Sequence, residues 1–124
     1  MQGTTPPTPL RRRLEVTIRR DGDVTVVRAT GELDLAASPR LGARLNDVIW
    51  RGTGDVVVEL DVHMVDSTGL AVLLNAFRRL DRVGRRLQVV STQPSVRRAL
   101  RLTRLSRELR VADRVDDAIA ALAA

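Results

Sequence analysis

Four consecutive residues, Asp66-Ser67-Thr68-Gly69, hold the clearest chemistry in this sequence of 124 residues. They follow a β-branched apolar run and precede a helical apolar pattern, so the Ser67 hydroxyl is expected at a helix N-terminus. Backbone N–H groups there have no intrahelical partner, and the helix dipole favours negative charge. A phosphate on Ser67 would be tolerated in that place, adding about −1.5 to −2 charges and three acceptor oxygens. The fold would survive, while any partner surface facing Ser67 would change sharply. Gly69 in the first turn leaves this backbone accessible. The same residues admit a plainer reading, in which Asp66 or Ser67 is an ordinary N-cap contributing about 1 kcal/mol.

A second polar loop, Gly31-Glu32-Leu33-Asp34, follows another strand pattern. In open α/β sheets functional loops lie beyond the carboxyl ends of the strands, which makes both loops candidates. Other chemistry is poorly supplied. His63 and Ser67 are ingredients of a hydrolytic pair, but no G-x-S-x-G elbow surrounds Ser67. Neither a Walker-type GxxxxGK loop nor GxGxxG occurs, so no phosphate-cradling loop is present. Asp34, Asp61 and Asp66 are carboxylates near strand ends, where holding a divalent cation is the alternative to plain solvated loop charges.

Composition narrows the choice further. The chain has no cysteine, which removes disulfides, thiolate metal sites and a cysteine nucleophile, and its single histidine removes a multi-histidine metal site. No metal, no cofactor and no enzymatic activity of its own are expected. The longest unbroken apolar runs are far short of the ~20 residues that cross a bilayer, and the N-terminus lacks an apolar signal region. A soluble, cytoplasmic, single-domain protein without membrane contact is expected. All 21 basic residues are arginine. Residues 1–77 hold 9 Arg against 10 Asp and Glu, a net −1, whereas residues 78–124 hold 12 against 5, a net +7. Such asymmetry fits a nucleic-acid footprint or, more blandly, solvated helix faces. With Trp50 and Phe77 the only aromatics, a base-stacking platform is lacking, and direct nucleic-acid binding is not expected.

The elements that must position the two loops follow from periodicity. Residues 1–13 (MQGTTPPTPLRRR) have no apolar pattern and read as a disordered tail before a domain spanning 14–124. Leu14, Val16 and Ile18 alternate with polar residues as in a half-buried strand; Asp21-Gly22 signals a hairpin turn; Val24, Val26 and Val27 open a second strand to about Thr30. Ser38 can cap a first helix with Pro39 at its first position, Leu41, Leu45, Val48 and Ile49 on one face, and Gly52 at its end. Asp55–Asp61 reads as a central strand buried on both faces. Leu70, Leu73, Leu74, Phe77 and Leu80 form the stripe of a second helix, which Gly84 ends. Leu87, Val89 and Val90 mark a strand. Pro94 starts a third helix, with Val96, Ala99, Leu100 and Thr103 inward and Arg97, Arg98, Arg101 and Arg104 outward. Leu109-Arg110-Val111 reads as a short edge strand, and Asp113 with Asp116 resembles a capping box for a last helix with Val115, Ala118, Ile119 and Leu122 inward. The order β-β-α-β-α-β-α-β-α implies an α/β fold: an N-terminal hairpin, then alternating strands and helices, in a mixed sheet of about five strands packed against four helices.

Gly31-Glu32-Leu33-Asp34, Ser38-Pro39 with Leu41, Val57–Asp61 and Asp66-Ser67-Thr68-Gly69-Leu70 together resemble the STAS domain, and more narrowly the bacterial anti-sigma factor antagonists. The resemblance runs from about Leu14 to Leu122 and includes Ser95–Leu100 and Asp116–Ile119. It implies a partner switch: the unphosphorylated protein binds an anti-sigma factor that is also a serine kinase, phosphorylation of Ser67 releases it, and a PP2C-type phosphatase resets it. By the same resemblance Asp34 is the acidic residue near the phosphoacceptor, Thr68 a weaker acceptor, and Glu32, Asp34, Asp66, Ser67, Thr68 and Gly69 the partner-binding set. The alternative it leaves is a STAS subunit of a larger lipid-transport or stress-signalling assembly, with no phospho-switch. Two positions depart from the family pattern. Ala37 stands where Thr or Ser is frequent, which shifts capping to Ser38, and Met64 stands where an aromatic is frequent, which reads as a core substitution.

Overall fold

The computed structural model describes residues 13–103, 109 and 111–123. Residues 1–12 of the expected tail, Arg104 of the arginine face and Arg110 of the expected edge strand lie outside the described residues. The chain opens with an antiparallel hairpin, β1 (Glu15–Asp21) and β2 (Val24–Leu33), closed by the pair Asp21 and Val24. The two loop residues are Gly22, at φ +62°, and Asp23. Leu14 is buried and Val16 half-buried, but Ile18, expected in the same inward row, is exposed: β1 is an edge strand that leaves the core as it runs to the turn.

After the hairpin come α1 (Ser38–Arg51), β3 (Val56–Val65), α2 (Ser67–Asp81), β4 (Leu87–Val90), α3 (Pro94–Leu102), β5 (Val111–Ala112) and α4 (Val115–Ala123). The sheet order is β1-β2-β3-β4-β5, with every pair after the hairpin parallel, so the expected mixed five-stranded sheet with four helices is the fold. The larger core joins one sheet face to Leu41 and Leu45 of α1, Leu73 and Leu80 of α2, and Val96 and Leu100 of α3. A smaller one packs Val26, Val57 and Val90 against Ala118 and Leu122 of α4.

β3 is longer than the apolar run suggests, because β2 continues beside it as far as Leu33. It is buried on both faces only in its first half. Beyond Val57 the face shared with α4 carries Glu59, Asp61 and His63, and Arg28 of β2 reaches across to Asp61 at 3.0 Å. Two local expectations give way to longer-range contacts. α4 begins at Val115, one residue too late for a box between Asp113 and Asp116, and Asp113 instead pairs with Arg97 of α3 at 2.8 Å. Thr103 is exposed at the C-terminus of α3, its hydroxyl donating to the Ala99 carbonyl at 2.8 Å. No helix of the described residues is long and apolar enough to cross a membrane.

Candidate functional site

Because β2 and β3 are parallel neighbours, their carboxyl ends open at the same edge, and the two polar loops meet there. The register shifts just before this edge: Gly31 lies opposite Val62 but Leu33 opposite Val65, so β3 carries one extra residue. The loops are then tied together through Asp66. Its N–H donates to the Leu33 carbonyl at 3.3 Å, and the Leu35 N–H donates to its carboxylate.

Asp66 is the N-cap of α2, in extended conformation. Its Oδ1 accepts the N–H groups of Thr68 at 3.0 Å and Gly69 at 3.2 Å, and the Thr68 hydroxyl as well. Of the two capping candidates it is therefore Asp66 that caps, and Ser67 is the first helical residue. Ser67 is exposed, and its hydroxyl makes no hydrogen bond among the described residues. Thr68 is half-buried with its hydroxyl held by Asp66, which makes it the poorer acceptor of the two for a physical reason.

Asp34 sits between the two residues that bond Asp66, Leu33 and Leu35, so it belongs to the same cluster. It is buried, and Oδ1 accepts the Ala37 N–H at 2.9 Å while its carbonyl accepts Ala37 at 3.1 Å and Ser38 at 2.8 Å. Asp34 thus takes the place expected of Ser38. That serine is already inside α1 and buried, with its hydroxyl aimed back at the Leu35 carbonyl at 3.4 Å, and α1 has no side-chain cap at Ala37. Glu32 is half-buried on β2 opposite the bulge, and its carboxylate forms no ion pair or hydrogen bond among the described residues.

The supposed cation cluster is not assembled: among the described residues no three candidate ligands converge. Asp61 instead accepts from Arg28 at 3.0 Å and Gln93 at 3.2 Å. Leu35 has no role in the sequence analysis, and Met64 has only a core one. Leu35 is 69% exposed and Met64 39%, giving this edge apolar surface beside its carboxylates. Met64 is not a core residue as expected: where β3 carries its extra residue, His63 and Met64 are both exposed before Val65 returns to the core. For Leu35 the sequence carries no signal of this exposure, because it continues the alternation of Leu33, and only the end of β2 at Leu33 takes it out of the strand.

Gly69 closes the site from inside: it is buried and its N–H is held by Asp66, so it does not leave the accessible backbone expected of it. A Cβ there would stand 2.7 Å from Leu33 Cγ and 2.9 Å from Val65 Cγ2, so the first turn of α2 lies directly on the ends of β2 and β3. Gly69→Ala is expected to cost about 1–3 kcal/mol through overpacking of a buried contact, read as a lowered urea midpoint. Asp66 gives the site a pH dependence. The Thr68 hydroxyl holds its carboxyl below the ordinary value of 3.8, against the opposing effect of burial and with help from the Gly69, Thr68 and Leu35 N–H groups. A carboxylate with a lowered folded pKa contributes stability that is complete above the unfolded value and lost as pH falls through the folded one. Between pH 6 and pH 3 the wild type should therefore lose more stability than Asp66→Asn, which keeps a capping oxygen but cannot titrate. Equal losses in urea melts at the two pH values would contradict this.

Comparison with known proteins places this geometry. The STAS domain family model matches residues 15–118. The chain is 26% identical over 111 residues to a protein of Paenibacillus polymyxa named anti-sigma F factor antagonist, spanning 88% of this chain and 95% of that one. Its fold is similar to the crystal structure of an anti-sigma factor antagonist from Mycobacterium paratuberculosis, with a TM-score of 0.84, 26% identity, and coverage of 90% and 95%. It also resembles the Bacillus cell fate determinant SpoIIAA in its phosphorylated form, with a TM-score of 0.66, 21% identity and coverage of 86% and 97%, a likeness of fold.

Proposed function

This chain belongs to the STAS domain family, and from that premise we propose that it is an anti-sigma factor antagonist switched by phosphorylation of Ser67. The observation that carries the reading is the Ser67 hydroxyl: exposed at the first position of α2, with no hydrogen bond among the described residues, between two residues whose side chains are committed to each other. The two relatives above at 26% identity, each named as such an antagonist, support the general role.

In the unmodified state, Ser67 with Leu35 and Met64 offers the anti-sigma factor an uncharged hydroxyl and apolar surface, set beside the carboxylates of the same edge. That partner is itself the serine kinase. The Ser67 oxygen forms a bond to the γ-phosphorus of ATP held by the kinase, ADP leaves, and the hydroxyl proton passes to the kinase. The product is a dianion where an uncharged hydroxyl had docked, next to the carboxylates of Asp66 and Asp34. Charge taken out of water without a partner costs several kcal/mol, and about 1.4 kcal/mol is tenfold in affinity, so release follows. Within the antagonist the charge is tolerated, because it sits at a helix N-terminus. A PP2C-type phosphatase then hydrolyses the ester with water, restoring the hydroxyl and freeing inorganic phosphate. The protein itself is a cytoplasmic binding module, with chemistry performed on it rather than by it. Asp66, Thr68 and Gly69 fix the position of Ser67, and Asp34 fixes the neighbouring loop.

Incubation with the cognate anti-sigma kinase and ATP, followed by peptide mass spectrometry, should show one phosphate on Ser67 and none in Ser67→Ala. Phosphate on Thr68 or elsewhere with Ser67 unmodified would overturn the assignment. Stable binding with no phosphate transfer would favour the subunit of a larger assembly.

A further inference from the structure

We propose that the hollow between the C-terminal ends of α1 and α2 is a second docking site, which takes an acidic segment of a partner protein carrying an apolar side chain, and that it works whatever the state of Ser67. Both helices start at the carboxyl edge of the sheet and end at the opposite edge, where their chains turn back into β3 and β4. α2 runs from Ser67 to Asp81, about 21 Å at 1.5 Å per residue. The hollow at its far end is therefore well separated from the switch.

It has a volume of about 570 Å³, with Ile49, Trp50 and Val83 supplying apolar surface and Arg79, Arg82 and Arg85 around them. Trp50 is 77% exposed and Val83 65%, an arrangement that leaves the largest side chain of the protein in water. Tryptophan and arginine are the residues that most often dominate binding energy at interfaces. Two of the arginines are anchored. Arg85 donates to the Ile49 carbonyl at 2.8 Å and the Gly54 carbonyl at 2.7 Å, and Arg79 donates to Asn46 Oδ1 at 2.7 Å. The Arg82 side chain makes no hydrogen bond or ion pair among the described residues and is exposed. Among the described residues no carboxylate lines the hollow; Asp55, whose charge acts on Arg85, is paired with Arg86 at 3.1 Å. The charged side chains that line the site are thus all arginines, around an apolar centre.

Charge selects the occupant. A second copy meeting this face about a twofold axis would bring Arg79 and Arg82 against their own counterparts, which is repulsive. A duplex or a bilayer would meet the arginines without filling the hollow between them. An acidic segment with one leucine-like side chain satisfies both features.

Trp50 is the only tryptophan and the chain has no tyrosine, so its emission reports the site directly. The probe is a capped peptide, Glu-Glu-Leu-Glu-Leu-Glu-Glu, titrated into the full chain at moderate salt. A saturable change in Trp50 emission is expected. Affinity should fall at least tenfold in Arg82→Glu, and at least tenfold in Trp50→Ala measured by calorimetry. It should stay within twofold in Ser67→Glu and in Arg19→Glu on β1, a residue that does not line the hollow. Equal binding of the peptide with alanine in place of leucine, or an equal loss in Arg19→Glu, would reduce the effect to general attraction and overturn the proposal. So would no saturable change, or Trp50 becoming buried by self-association in sedimentation runs. None of these results bears on phosphate transfer to Ser67, so the two readings fail separately.

Discussion

Ser67→Glu is expected to bind the anti-sigma factor about 100-fold more weakly than wild type, a difference of about 2.7 kcal/mol, while Ser67→Ala stays within a few-fold. The asymmetry follows from where the hydroxyl lies. Its removal leaves no donor or acceptor stranded in the antagonist, because the hydroxyl bonds nothing there among the described residues. A carboxylate at the same position places a charge on the docking edge beside Asp66 and Asp34, so the partner must desolvate it or repel it. Folding should hardly respond. An acidic residue in the first turn of a helix is favoured by its dipole, so the urea midpoint of Ser67→Glu should match wild type within about 0.5 kcal/mol. Calorimetry with purified partner separates the two effects. Binding of Ser67→Glu within threefold of wild type would remove the switch from Ser67, and a large loss of stability would show that the residue serves the fold instead.

The second large effect lies at the opposite end of the sheet. A Cβ on Gly54 would stand 1.8 Å from the Asp23 carbonyl oxygen, a backbone atom with no rotamer to yield. The tip of the β1–β2 hairpin rests there on the loop between α1 and β3, and the contact continues as Thr25 N–H donating to the Asp55 carbonyl at 3.0 Å. Gly54→Ala must separate the two loops and weaken that bond. A loss of about 3 kcal/mol or more is expected, with Tm falling by about 10 °C. Gly22→Ala is the control: Gly22 has φ +62° and open space around its would-be Cβ, so only the left-handed backbone is penalised, by about 1 kcal/mol. Thermal melts of the two variants compare close approach with conformation, and similar losses would contradict the distinction.

Much of this site was legible before any coordinates because its signals are local. The string Asp66-Ser67-Thr68-Gly69 between a β-branched run and a leucine stripe contains its own cap, its own acceptor and the small residue that close packing needs. The hairpin turn at Gly22 and the buried faces of α1 and α2 were equally plain, since turn residues and apolar periods act over a few positions. The exposure of Met64 is not legible in the sequence because a bulge depends on how two strands align, not on either strand alone. The same holds for Asp113, whose partner Arg97 lies on another helix.

Periodicity and turn chemistry thus determined the order of the elements, the mixed sheet and the placing of a serine at a helix start, because each depends on neighbours within a turn or a strand. Only the tertiary structure decided that Asp66 rather than Ser67 does the capping, that Asp34 supports α1 in place of Ser38, and that Trp50 stands in water among arginines. Those outcomes depend on groups from separate elements competing for the same hydrogen bonds and the same buried space, and that competition exists only once the parallel strands bring their ends together.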